Sequence, residues 1–287
     1  METLSFKKIG IEDKELFDRY FKDYPPKASE LTFTNLFVYR ESRPIEFAVF
    51  EEHMIITFLD TKNKRSFFSP IGNAPSRMIE KILEMYPNAA FERIEKSIVK
   101  DTNIELSSVH DKDNDDYVYD IKELIELQGQ RYSSKRNFVN RFEKNSPIVK
   151  DIDDVFIKDC LHLNGKWCDL KDCTGDASLK AEFMAIKQAL LNFKRLSLIS
   201  VAVFVDGKIS GFAIGERLNE DTFVEHFEKA NPELGGAYQY ILNSFAKKIP
   251  SNFLYLNREQ DLGNEGLRKS KESYHPKMMI EKYRISR

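Results

Sequence analysis

No window of the chain approaches the roughly 18 uninterrupted apolar residues of a membrane span. The N-terminal stretch METLSFKKIGIEDKELF has no apolar core of signal-peptide length. These absences predict a soluble, cytoplasmic protein for which only peripheral contact with a membrane surface stays open. Positive charge is not in excess either. With a net charge of −2, a generally basic, nucleic-acid-coating surface is excluded, and any polyanion contact has to be a local patch. Cysteine is scarce: Cys160, Cys168 and Cys173 are odd in number and clustered, which excludes a disulfide framework and fits a reducing compartment. Together with His162 they lack the paired spacing of structural zinc sites, so no metal is expected. Walker-type loops and a Ser-His-Asp arrangement are absent. So are Pro-, Gly- or Ser-rich linkers, which argues for closely packed domains rather than tethered ones.

What is present suits two domains of ordinary size: 287 residues, 41% of them hydrophobic, with 22 Phe. The C-terminal half reads clearly. SLISVAVFV and KISGFAIGERL flank Asp206-Gly207, a strong hairpin signal because both central positions of a type I′ turn need positive φ. TFVEHFEKA alternates, with Phe223, Glu225 and Phe227 on one face and Val224, His226 and Glu228 on the other. The loop NPELGG leads into AYQYILNSFAKKI, apolar at helical spacing. NFLYLN reads as a strand, GLRKSKESY as a short helix and KMMIEKYRIS as a final strand. The N-terminal half repeats the order less clearly, from the hairpin IEFAVF–MIITFL to YVYDI as its last strand. The expected division is an N-terminal domain over 1–120, linking helices over 121–146 and a C-terminal domain over 147–287.

Several residue groups are suited to chemistry. Gly235, Gly236 and Ala237 stand at the start of a helix, where backbone N–H groups are unpaired and the dipole favours a phosphate or carboxylate. A tight turn needing glycine explains them equally well. On the helix RYSSKRNFVNRFEK, Arg136, Asn140 and Lys144 form a polar row. The row fits either a phosphate-bearing ligand or a solvated cationic face. Glu228 sits near the end of the alternating strand and borders the glycine loop. His226, on the same face, is more simply read as a packed or hydrogen-bonded strand histidine. The PIGNAPS loop of the N-terminal half has one glycine and two prolines, a poor match for phosphate.

The order hairpin, alternating strand, glycine loop, amphipathic helix resembles the core of the GNAT N-acyltransferase fold. That family's pyrophosphate loop reads Gln/Arg-x-x-Gly-x-Gly/Ala. Gly235-Gly236-Ala237 matches its end, while Pro232 stands at the Gln/Arg position. Longer stretches, KRNFVNRF, FEKANPELGGAYQYILNSFA, LNREQDLGNEGLRKSKESYHPKMMIEKY, TFTNLFVYR and FFSPIG, resemble a domain-of-unknown-function group. This group is related to the C-terminal domain of phosphatidylglycerol lysyltransferases. The resemblance runs at intervals over essentially the whole chain. It implies an α/β (α+β) fold of two tandem GNAT-like acyltransferase domains with mixed, mostly antiparallel sheets, akin to Fem-type aminoacyltransferases. The lysyltransferases carry a large membrane domain ahead of this unit, and no such segment is present in this sequence.

The expected function is therefore acyl or aminoacyl transfer to an amine or hydroxyl, with aminoacyl-tRNA or an acyl-CoA as donor. The alternatives are a GNAT-derived module that binds a ligand or partner without turnover, and an acetyl-CoA-dependent N-acetyltransferase. The site is expected in the second domain. Glu228 serves as base or ammonium anchor, Tyr238 or Tyr274 as proton donor, Gly235, Gly236 and Ala237 hold an anion, and Asn231 binds substrate. Asn257, Arg258, Glu259 and Asp261 leave the carboxyl end of a strand, where ligands collect in open sheets, and Arg258 and Arg268 are expected to hold a phosphate or carboxylate. Arg136 and Asn140 are the residues assigned to tRNA phosphates. Asp261, Gly263 and Asn264 read as helix-entry chemistry, with Leu267 and Tyr274 on the following buried stripe and Arg268 and Lys269 turned outward.

Overall fold

The structure, a computed structural model, describes residues 4–60, 63–102, 106–173 and 175–287. They form two compact units. One comprises Met1–Tyr117, Glu259–Lys271 and Met278–Arg287, the other Val118–Arg258 and Glu272–Lys277.

In the first unit the strands are β1 (Lys7–Lys8), β2 (Glu46–Phe50), β3 (His53–Leu59), β4 (Arg65–Phe67), β5 (Ala90–Glu95) and β6 (Ser107–His110). Helices α1 (Lys14–Asp23), α2 (Phe33–Tyr39), α3 (Pro75–Met85) and α4 (Lys96–Lys100) accompany them. The expected β2–β3 hairpin forms in register, Phe50 opposite His53. Its turn holds Glu51 and Glu52 at φ 46° and 65°. The apolar positions of α3, Met78, Ile79, Ile82 and Leu83, pack with Ile55, Phe67, Phe91 and Ile285. That burial, more than helix propensity, stabilises a helix of this length.

The second unit contains β7 (Asp116–Asp120), α5 (Ile121–Glu126), α6 (Ser133–Glu143), β8 (Ile148–Lys150) and the paired helices α7 (Ile157–Lys171) and α8 (Ala177–Leu191). After α9 (Phe193–Leu196) come β9 (Ile199–Val205), β10 (Lys208–Arg217), β11 (Thr222–Ala230), α10 (Ala237–Lys248) and β12 (Tyr255–Asn257). Further along the chain lie α11 (Glu265–Glu272), β13 (Met278–Ile280) and β14 (Lys282–Ser286), which apart from Glu272 belong to the first unit. Neighbouring strands follow the order β7-β12-β11-β10-β9-β8, and β11–β12 is a parallel pair. Asp206 and Gly207, at φ 50° and 72°, make the β9–β10 turn as the dipeptide predicts.

Two expected strands change sheets. YVYDI, expected to close the first sheet, lies beside β12 in the second. The expected last strand KMMIEKYRIS breaks at Glu281, and its second half, β14, sits in the first sheet between β5 and β6. An alternating strand satisfies either sheet equally well, so its sequence does not choose. The buried charges do: Lys282 is fully buried, with its Nζ 2.6 Å from both Glu30 and Asp116. A buried ammonium without such partners is strongly disfavoured. The boundary expected at residue 120 falls near Tyr117/Val118, and the segments 259–271 and 278–287 return to the first unit.

Candidate functional site

Strands β11 and β12 pair only from Thr222–Val224 against Tyr255–Asn257. Past that point β12 ends at the buried Asn257, while β11 runs on to Ala230. Between Ile214 and Gly215 of β10 the register slips by one, so that Phe227 faces Ile214, Glu225 faces Gly215 and His226 is the extra residue. This bulge overturns the strict alternation expected for β11. Glu225 and Glu228, three apart and on opposite faces of a regular strand, both reach Arg258. Its Nε donates to Glu225 Oε2 at 2.5 Å and its Nη2 to Glu228 Oε2. The imidazole of His226 instead meets Glu216 at 2.9 Å.

Arg258 is nearly enclosed. Its guanidinium lies 5.6 Å from the Tyr274 ring centroid and 5.9 Å from that of Tyr119. Burial works against the charge, but Glu225 and Glu228 outweigh it and hold the guanidinium above its ordinary value. Tyr274 is buried, and burial pushes its phenol up, with Arg258 opposing and Glu228 adding to the rise. Lys135 of α6 completes the group. Its Nζ donates to Ser273 at 2.6 Å and lies 4.2 Å from the Tyr274 ring centroid, and burial, then Arg258, lower its pKa.

Tyr238 of α10 belongs to the same neighbourhood. Its hydroxyl accepts from Trp167 Nε1 at 3.1 Å. Burial and then Glu228 raise its pKa, against hydrogen bonds from Trp167 and the Ala230 amide. Of the expected residues, Glu228, Arg258 and Tyr274 thus come together, at the point where β11 and β12 part, and Tyr238 feels the charge of Glu228.

The glycine loop is built mainly for packing. Asn231 starts it, with its Oδ1 accepting from Glu233 N and its own N–H donating to Ser210 O. Ala237 N–H donates to Leu234 O at 3.1 Å, so one of the amides expected to hold an anion is used within the loop. Gly236 has φ 94°, and a Cβ there would sit 2.6 Å from the Phe138 carbonyl oxygen of α6. Gly235 is exposed beside the Arg141 guanidinium.

The other expected cations have structural partners. Arg136 donates to the Leu127 and Gly129 carbonyls, closing the end of α5. Asn140 is exposed on α6. Glu259 and Arg268 belong to the first unit. Glu259 accepts from Asn35 at 3.2 Å. Arg268 does not turn outward as the helical wheel suggests: it holds Asp261 through Nε and Nη2, both at 2.8 Å, and reaches Asp113. Leu267, expected on the buried stripe, is exposed. The buried face of α11 is instead Lys271, which donates to the Glu259 and Gln260 carbonyls. The wheel fails because this short helix is anchored by charge and carbonyl contacts rather than by apolar burial. Asn264 makes the expected entry bond, accepting from the amide of Leu267, while Asp261 accepts from the Gly263 amide in the turn ahead of the helix.

Glu225, Tyr119, Lys135 and Trp167 were not singled out from sequence. For Glu225 the signal was there, a second carboxylate three residues before Glu228, but only the bulge turns it to the same side. Among the described residues no group of His, Cys, Asp and Glu is arranged to hold a metal ion, and no helix is long and apolar enough to cross a membrane.

The comparisons with known proteins agree with this architecture. A conserved protein of unknown function from Bacteroides thetaiotaomicron is 31% identical, with a TM-score of 0.92 over 99% of both chains. The L-PGS structure from Bacillus licheniformis matches at TM-score 0.67 and 14% identity, over 96% of this chain and 92% of that one. A tandem GNAT protein from the clavulanic acid biosynthesis pathway matches at TM-score 0.51 and 8% identity, over 99% and 98%. An uncharacterised protein of Mycoplasmoides gallisepticum is 27% identical over 201 residues, and the match spans 64% of this chain and 62% of the length of that relative. The fold is thus a tandem GNAT-like one. The model of the phosphatidylglycerol lysyltransferase C-terminal family matches residues 21–286, and the chain belongs to that family.

Proposed function

We propose that the protein is an aminoacyltransferase whose site lies where β11 and β12 part, and that its donor is an aminoacyl-tRNA. The observation that carries this is the buried cluster of Glu225 and Glu228 on Arg258, in a family named for lysyl transfer. Two carboxylates share one guanidinium there, so a substrate ammonium group is matched by charge. In the transfer an acceptor amine or hydroxyl attacks the aminoacyl carbonyl, its new bond to carbon replaces the ester bond, and its proton passes to the departing ribose oxygen. Such a reaction depends chiefly on positioning and on stabilising the tetrahedral oxyanion. Glu228 acts as ammonium anchor rather than free base, since Arg258 already occupies it. The internally bonded Ala237 amide, together with Pro232, favours a donor other than acyl-CoA.

The test uses purified protein with tRNA charged with a mixture of radiolabelled amino acids and a panel of amines and hydroxyl compounds. Label should move from tRNA to an acceptor, and Glu228→Gln should lower that rate at least ~10-fold, the loss expected when a charged anchor is removed. A wild-type rate in the variant would remove Glu228 from the site. Saturable binding of acetyl-CoA by calorimetry would redirect the donor assignment.

A further inference from the structure

The hydroxyl of Tyr238 is constrained more tightly than that of Tyr274. An indole N–H only donates, so at 3.1 Å from Trp167 Nε1 the phenol oxygen is the acceptor. An oxygen that accepts this bond keeps its own proton to donate, directed away from the indole. Among the charges acting on Tyr238, Glu228 is the strongest. Trp167 is itself fixed: Lys229 Nζ lies 3.4 Å from its ring centroid, a cation–π contact. Lys229 in turn is buried and bonded to Glu182 at 2.8 Å. A chain of contacts from α8 through Lys229 and Trp167 thus ends on one phenol oxygen, on which the charge of Glu228 acts.

We propose that Trp167 is a positioning residue that fixes the Tyr238 O–H as a hydrogen-bond donor aimed at the space beside Glu228, to meet the oxygen that becomes negative during transfer. This rests on the aminoacyltransfer proposed above. The phenol stays protonated at neutral pH because burial and Glu228 both oppose its ionisation, so it donates rather than abstracts. A fixed donor of this kind needs no reorganisation as charge develops, which is the source of its effect.

The chain has one tryptophan, so its intrinsic fluorescence reports this contact without any substrate. Tyrosinate quenches a neighbouring indole, and an alkaline titration of Trp167 emission should show a midpoint above the ordinary tyrosine value of about 10. That transition should disappear in Tyr238→Phe and move to lower pH in Glu228→Gln. An identical titration in Tyr238→Phe, or no shift in Glu228→Gln, would overturn the proposed geometry. In the transfer assay, Tyr238→Phe should lower kcat by about 100-fold with KM little changed, as for loss of one oxyanion donor. Trp167→Phe, which keeps a ring for Lys229, should lower kcat several-fold, and the double variant should match Tyr238→Phe alone. Additive losses in the double variant would overturn the positioning role. If the wild-type protein transfers nothing, the proposed activity falls, and the fluorescence titration alone decides the hydroxyl's orientation.

Discussion

Asp261 shows how one residue can carry helix entry and pH dependence together. It receives the Arg268 guanidinium, the Tyr117 hydroxyl and the Gly263 amide. Burial opposes its charge, but these donors outweigh burial and hold the carboxyl at about 2. In the unfolded chain an aspartate titrates near 3.9. The folded state therefore binds this proton less readily, and the resulting stability is fully present above about pH 4 and lost as pH falls towards 2. Asp261→Asn should be less stable than wild type at pH 7, with the gap closing between about pH 4 and pH 2. Urea midpoints at pH 7, 4 and 2.5 measure it, and a gap that does not change with pH would contradict the assignment. The helix-entry role of Asp261 is legible in the spacing Asp261-x-Gly263-Asn264. Its ion pair with Arg268 is not, because one turn of helical wheel cannot show that an arginine folds back on the turn ahead of its helix.

At the scale of elements, the bulge and the glycine loop position the site. An extra residue at His226 turns Glu225 to the side of Glu228, and no feature of TFVEHFEKA announces it. Bulges arise from pairing with the neighbouring strand, here β10, so a single-strand pattern is silent about them. Gly236 joins α10 to α6. With φ 94° and the Phe138 carbonyl 2.6 Å from where a Cβ would lie, Gly236→Ala is strained in backbone and in packing. It should destabilise the protein by more than about 1 kcal/mol, seen as a lower Tm and faster amide exchange in α10. An unchanged Tm would mean that α6 moves aside easily. The requirement for glycine at this turn was legible from the sequence. That its neighbour would be a carbonyl of α6 was not.

At the scale of the whole chain, the C-terminal strand decides the integrity of the first unit. β14 pairs with β5 on one side and β6 on the other, adds Ile285 to the core and supplies the buried Lys282. Removing residues 282–287 would leave Glu30 and Asp116 without that ammonium, a loss of about 3–5 kcal/mol for a broken buried pair. Hydrogen exchange in β5 should rise towards unprotected rates in the truncated chain. Retained protection there would show that β14 is dispensable. By itself the sequence determined the order of elements from β9 to α11, the hairpin turns and the stretches shared with the family, because these follow from local periodicity and turn chemistry. It also brought Glu228, Arg258, Tyr238 and Tyr274 forward as candidates. Only the tertiary structure decided which sheet takes β7 and β14, that Glu225 joins Glu228 on Arg258, and that Arg136 and Arg268 are held by their own unit. Each of these choices depends on partners far away in sequence, and buried charges, unlike apolar faces, accept very few of them.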